Sequence, residues 1–134
     1  EQKTRGQTCF DTLPGIPGSE TLLPLLYSEG VVKGRISLPR LVELLAVNPA
    51  KIYGLYPRKG CLAPGSDADL VILNPHEATV LSGNKLHSAA GYTPYEGWKT
   101  RGRIEKTMLR GKVVYQDGQF LGSKGSGRFI PATP

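Results

Sequence analysis

A chain of 134 residues, 39% hydrophobic and 21% charged, has the composition of a soluble globular domain and the length for one domain at most. Its net charge of +6 sits at one end, because residues 1–98 hold 9 Lys+Arg against 9 Asp+Glu whereas residues 99–134 hold 8 against 2. The longest apolar runs, residues 22–27 and 70–73, fall far below the roughly 20 residues that span a bilayer, and the acidic, Gly-containing start is no signal peptide, so a cytoplasmic protein is expected.

Residues 1–19 have no sustained period and end in Leu13-Pro14-Gly15-Ile16-Pro17-Gly18, where alternating Pro and Gly force a turning backbone. Ser19 is then placed to cap a helix that buries Leu22, Leu23, Leu25 and Leu26 and ends at Gly30 and Gly34. Ser37 precedes Leu38, Leu41, Val42 and Leu45, the spacing of an amphipathic helix with Arg40 and Glu43 on its other side. Asn48-Pro49 predicts a stop and a new short helix with Asn48 as its cap, closed by Gly54.

Beyond Gly60 the hydrophobic period becomes that of strands, so residues 19–55 are expected to be mainly helical and 62–116 mainly strand and turn. Leu70-Val71-Ile72-Leu73, bracketed by Pro64-Gly65 and Asn74-Pro75, predicts a short strand buried on both faces. Residues 104–109 and 112–115 flank Arg110-Gly111 as a hairpin, ended by the turn pair Asp117-Gly118. Residues 118–134 are rich in Gly and Ser and are expected to form an extended arm that lies against another part of the protein or another subunit. Three helical pieces and a few strands do not by themselves close a barrel or a sandwich. The helices are expected to finish one domain and the strands to join a sheet of a longer polypeptide.

Chemistry-bearing motifs are few. There is no His-x-His, no His-Glu-x-x-His and no Cys-x-x-Cys, and His76 and His87 stand far apart, so no metal site is assembled. Cys9 and Cys61 exclude a disulfide framework and read as reduced, packed thiols. Gly122-Ser123-Lys124-Gly125 lacks the spacing of a phosphate loop, and Cys9 with His87 makes no nucleophile–base pair. Asp67 and Asp69 alternate as a carboxylate pair would, but fit better as turn residues accepting backbone N–H bonds. The basic residues after position 98 are scattered singly, which favours a solvated surface or subunit contact over nucleic-acid binding.

Three segments taken in order resemble the cyclic amidohydrolases: Pro14-Gly15-Ile16-Pro17-Gly18-Ser19-Glu20-Thr21, Asn48-Pro49-Ala50-Lys51-Ile52-Tyr53-Gly54-Leu55, and Lys59-Gly60 followed by Ala63-Pro64-Gly65-Ser66-Asp67-Ala68-Asp69-Leu70-Val71-Ile72. Tyr92-Thr93-Pro94-Tyr95-Glu96-Gly97-Trp98, Leu109-Arg110-Gly111-Lys112-Val113-Val114 and Gly125-Ser126-Gly127-Arg128-Phe129 look most like hydantoinases and dihydropyrimidinases. The first segment is also similar to dihydroorotases, and the closing hairpin to allantoinases.

The resemblance implies an α+β piece in which residues 1–60 carry the last helices of a (β/α)₈ barrel and its substrate loop. Residues 61–117 would be strands of a small composite β-sandwich, and residues 118–134 the C-terminal arm. It implies a hydrolase that opens the ring of hydantoins or dihydropyrimidines with a two-zinc site, none of whose ligand motifs occurs here. Pro14 and Gly15 match the loop that binds the ring through backbone groups, although hydantoinases often have Asn at the position of Pro14. The implied partners are a small cyclic amide, the N-terminal remainder of the same protein, and further copies in a dimer or tetramer. Two other classes stand beside this reading: a non-catalytic dihydropyrimidinase-like scaffold protein, and an autonomous basic interaction domain.

Overall fold

The structure is a computed structural model that describes residues 8–11 and 15–132. A helical layer comes first. Helix α1 spans Leu22–Leu25 and widens into i→i+5 turns over Leu26–Val32. Helix α2 (Leu38–Val42) widens in the same way over Glu43–Val47 and runs on into α3 (Asn48–Ile52). A four-stranded antiparallel sheet follows in the order β1 (Leu70–Val80), β2 (Lys99–Leu109), β3 (Lys112–Gln116), β4 (Gln119–Phe120). The change of period at Gly60 therefore marks the change of layer. No helix among the described residues is long and apolar enough to cross a membrane.

Some local signals act as expected. The Ser37 hydroxyl accepts the Arg40 N–H at 3.3 Å and caps α2, satisfying one of the donors a helix start leaves open. Arg40 and Glu43, one turn apart on the outer side, pair at 2.8 Å. Of the expected apolar face, Leu41 is buried at 3% exposure and Leu45 half-buried, whereas Leu38 and Val42 are 53% and 49% exposed. Arg110 (φ 50°) and Gly111 (φ 76°) form the two-residue β2–β3 turn, whose positive φ at both positions matches the twist of the paired strands.

Four helical expectations are corrected. Ser19 is not the cap: α1 starts at Leu22, and the Thr21 hydroxyl donates back to the Gly18 carbonyl at 3.2 Å, closing a turn before the helix. Gly30 does not end the helix, which continues to Val32 and stops at Gly34 (φ 70°). The leucines are not buried on most sides either, since Leu22 is 49% exposed and Leu23, Leu25 and Leu26 are half-buried. Asn48-Pro49 neither stops the helix nor caps a new one. Asn48 is helical and donates to Glu43 O, five residues back, and this wide turn admits a proline ring and its missing N–H without breaking the rod.

The strand expectations change as well. β1 does not end at Asn74-Pro75 but bulges there, with Asn74 opposite Arg103 and Ala78 opposite Arg101. Proline offers no ladder N–H, so the extra residues loop out of the pairing. Asn74 stabilises the bulge by accepting the His76 N–H at 3.0 Å and donating to Glu77 and Glu105. Nor is β1 buried on both faces: Leu70 and Leu73 are half-buried, whereas Val71 and Ile72 are 45% and 41% exposed. It is one of the two edge strands of this sheet, with β4 at the other edge.

Helix and sheet are joined where α1's wide turns cross β2. The Ser28 hydroxyl, on a buried residue, accepts the Arg101 N–H at 3.1 Å. The ring of Tyr27 lies so close to Gly102 (φ 94°) that an added Cβ would stand 2.5 Å from its Cδ1. Beyond Phe120 the described arm has no regular element. Phe129 is 91% exposed, and the Arg110 guanidinium donates to Ser126 O at 2.6 Å. Cys61 is a free thiol that donates to Pro57 O at 3.2 Å; the expectation for the Cys9 side chain falls outside what is described.

Candidate functional site

Of the two expected substrate-loop residues, Pro14 lies outside the described residues. Gly15 stands on the exposed loop before α1 with φ 77°, and a Cβ added there would meet nothing within 4 Å. Ile16, beside it, is 66% exposed. Backbone groups on this stretch are open to a ligand, and a glycine lets one approach closely.

Downstream the loop is tied to the rest of the chain. Thr21 is only 1% exposed. The Glu20 carboxylate receives two hydrogen bonds from one residue, the His87 backbone N–H at 2.8 Å and the His87 Nδ1 at 3.0 Å. The His87 ring in turn stands edge-on to Tyr115 of β3, with centroids 6.0 Å apart. These residues were not singled out together by the sequence, because 67 positions separate Glu20 from His87.

Glu20, His87 and Tyr115 also line a cleft of about 590 Å³ against the sheet, with Leu86, Ile104 and Phe120 among its apolar walls. Gly15 is not on this cleft. Much of its polar lining is engaged: Glu20 with His87, and Arg103 with Glu77 at 2.8 Å and Asp117 at 3.0 Å. Among the described residues no three His, Cys, Asp or Glu side chains cluster to hold a metal ion, so they do not fit the two-metal site that the family resemblance implies.

Asp67 and Asp69 sit in the turn entering β1, as expected; the Asp69 side chain accepts a backbone N–H, as expected, whereas the partners of the Asp67 side chain are cations. Asp67 pairs with Arg58 Nε at 3.1 Å and Lys59 Nζ at 2.9 Å. Asp69 pairs with Lys59 and accepts the Arg110 N–H at 2.7 Å. Lys59 thus gathers both carboxylates, and Asp69 fastens the helix-to-sheet connection to the β2–β3 turn. The pair is a structural clasp, with both carboxylates occupied by cations.

The electrostatics follow from those contacts. The Lys59 hydrogen bond holds the Asp67 carboxyl below its usual range, against partial burial and helped by Arg58. Burial pulls the Lys59 ammonium down, but bonds to Asp69 and Asp67 and their charges outweigh it, so its pKa rises above 10.5. Glu96 is lowered by the Gly83 N–H, which it accepts at 2.7 Å, and by the Ser82 hydroxyl, against burial.

Depressed carboxylates stabilise the fold above their unfolded pKa, near 4, and that contribution is lost as pH falls through the lower folded values. Lys59 acts in the other direction, contributing below 10.5 and losing that contribution as pH rises through its raised folded value. The thermal midpoint is therefore expected to drop on acidification below about pH 4. Glu96→Gln keeps an acceptor for the Gly83 N–H, removes the titrating group, and should give a shallower acid slope. An unchanged slope would show that Glu96 carries none of it.

Comparison with known proteins gives the frame for these features. The signature of the amidohydrolase family matches residues 6–114. A D-phenylhydantoinase from Escherichia coli is 47% identical over 120 residues, covering 90% of this chain and 26% of that protein. Among solved structures, D-hydantoinase (dihydropyrimidinase) from Thermus sp. superposes with TM-score 0.89 at 41% identity, over 95% of this chain and 28% of that one. Dihydropyrimidinase from Brevibacillus agri gives 0.91 at 36%, over 99% and 30%. L-hydantoinase (dihydropyrimidinase) from Arthrobacter aurescens gives 0.86 at 42%, over 91% and 27%. The chain spans about a quarter of the length of the curated relatives it matches. With the family signature over most of its residues and the fold of these enzymes reproduced at about 40% identity, the chain belongs to the amidohydrolase family.

Proposed function

We propose that this chain is the C-terminal part of a metal-dependent hydrolase that opens the cyclic amide ring of hydantoins or dihydropyrimidines. The observation that carries the reading is identity of 47% to a D-phenylhydantoinase across 90% of this chain. The relatives named hydantoinase and dihydropyrimidinase share its fold over 91% to 99% of the chain.

On this reading residues 1–60 complete a (β/α)₈ barrel, residues 61–117 are strands of a composite β-sandwich, and residues 118–134 form a docking arm. Pro14 and Gly15 make one wall of the substrate pocket, offering backbone N–H and C=O groups to the imide or ureide edge of the ring. A zinc pair, with its ligands outside the described residues, supplies an activated hydroxide when bound. The working form is a cytoplasmic homo-oligomer, a dimer or tetramer. Dihydroorotase and allantoinase are sister activities, and the relatives, which are hydantoinases and dihydropyrimidinases, favour hydantoins and dihydropyrimidines over them.

The complete protein, purified and assayed for ring opening of a hydantoin, dihydrouracil, dihydroorotate and allantoin, is expected to turn over one of the first two. It should lose that activity to a chelator and regain it with zinc or manganese. A complete protein inert on all four would reject the reading in favour of a non-catalytic scaffold, and turnover confined to dihydroorotate or allantoin would move it to a sister activity.

A further inference from the structure

The two hydrogen bonds from His87 to the Glu20 carboxylate lie at the downstream end of the loop that carries Gly15. We propose that Glu20 and His87 are a positioning pair that holds this loop in the form that receives the substrate ring. The inference rests on the proposed function, in which Gly15 lines the pocket.

The geometry argues for positioning. Gly15 itself is loosely surrounded, with open space where a Cβ would stand. The described downstream end of the loop is where buried and hydrogen-bonded side chains occur. At the downstream end Thr21 is buried and turns its hydroxyl back to Gly18 O, and the helix beyond it is tied to β2 through Ser28. Glu20 adds a second tie, ahead of the helix and nearer to Gly15 in the chain. Its two carboxylate oxygens each take a separate donor from His87, a two-point grip that also sets rotation. The His87 ring is seated against Tyr115 on β3, so the grip is referred to the sheet. Neither side chain touches the Gly15 backbone in the described contacts, so the pair acts through loop placement and not on the reacting atoms.

A backbone wall that must be ordered before it binds costs affinity, and pre-ordering removes that cost. Loss of the pair should therefore raise KM and leave kcat nearly alone. The two bonds differ in kind, which gives a graded series. Glu20→Ala removes both. His87→Ala removes only the ring bond, because the backbone N–H remains. Glu20→Gln keeps an acceptor for the backbone N–H and a polar partner for the ring.

In the complete protein, Glu20→Ala is expected to raise KM for the ring substrate by about tenfold, from two lost hydrogen bonds. His87→Ala should raise it by about threefold, from one. Glu20→Gln should restore KM to within about twofold, with kcat and bound metal unchanged throughout. The double variant should be no worse than Glu20→Ala alone, since the partner is already gone. A kcat loss with unchanged KM, or equal KM for all variants, overturns the positioning role, and so do additive effects in the double variant. If Glu20→Ala fails to fold, His87→Ala and Glu20→Gln still decide, because each leaves at least one bond in place. A parent protein that opens no ring rejects the proposed function itself, whereas an active parent with insensitive variants rejects only this pair.

Discussion

Purified by itself, this chain is expected to open no hydantoin, dihydropyrimidine, dihydroorotate or allantoin ring, with or without added zinc or manganese. Hydrolysis of a cyclic amide needs an activated water and a group to move its proton. A catalytic metal takes about three protein ligands in suitable geometry. Among the described residues no three His, Cys, Asp or Glu side chains gather that way. Asp67 and Asp69 are neutralised by Lys59, with Arg58 adding to the first, and Glu77 and Asp117 pair with Arg103. The His87 Nδ1 is spent on Glu20. On the proposed function, a pocket wall at Gly15 would bind without activating. Mixing the chain with the remainder of the complete protein should then bring metal-dependent turnover, because the proposed ligands and the wall would meet. Metal-dependent turnover by the chain alone would defeat the view that the catalytic centre lies elsewhere.

The sequence was most informative where a single local signal decides the backbone. Arg110-Gly111 could be placed because a two-residue hairpin demands positive φ at both positions, and Ser37 because a hydroxyl three residues before a helical N–H caps it. It misled where two signals compete. Asn48-Pro49 has the chemistry of a helix start, yet the i→i+5 turns before it absorb the proline and the rod continues. Asn74-Pro75 has the chemistry of a strand end, yet Asn74 supports a bulge and β1 runs on to Val80. The apolar run of residues 70–73 describes what a strand prefers to contact, not what is present to contact it, so its exposure was not legible. Contacts between residues far apart in the chain left no local trace. Neither the clasp of Lys59 on Asp67 and Asp69 nor the grip of His87 on Glu20 has a spacing that would announce it. The loop was identified from its Pro-Gly run, while the residues proposed to hold it had to be found in space.

Gly102→Ala is expected to cost about 2–5 kcal/mol, a sum of backbone strain and overpacking. Gly102 has φ 94°, where a side chain is strained whatever the space around it. A residue with a Cβ in the left-handed half of backbone space costs roughly 1–2 kcal/mol. The added methyl would also stand 2.5 Å from Tyr27 Cδ1, 2.8 Å from Cε1 and 3.3 Å from Leu73 Cδ2. Forcing a packed ring aside costs about 1–3 kcal/mol more. The position matters because the bond from Arg101 N–H to Ser28, one residue away on each side, ties the same helix to β2. Displacing Tyr27 would lengthen that bond and loosen the joint between the helical layer and the sheet. The measurement is the urea midpoint of the complete protein, with protease sensitivity around residues 27–30 as a local readout. Gly127→Ala serves as the control, since no atom lies within 4 Å of its built Cβ, and should change stability by less than about 0.5 kcal/mol. Adding Tyr27→Ala to Gly102→Ala should recover the overpacking part but not the strain, giving a coupling energy that the two single variants do not predict. A Gly102→Ala protein as stable as Gly127→Ala would mean that the helix and sheet are not joined at this contact.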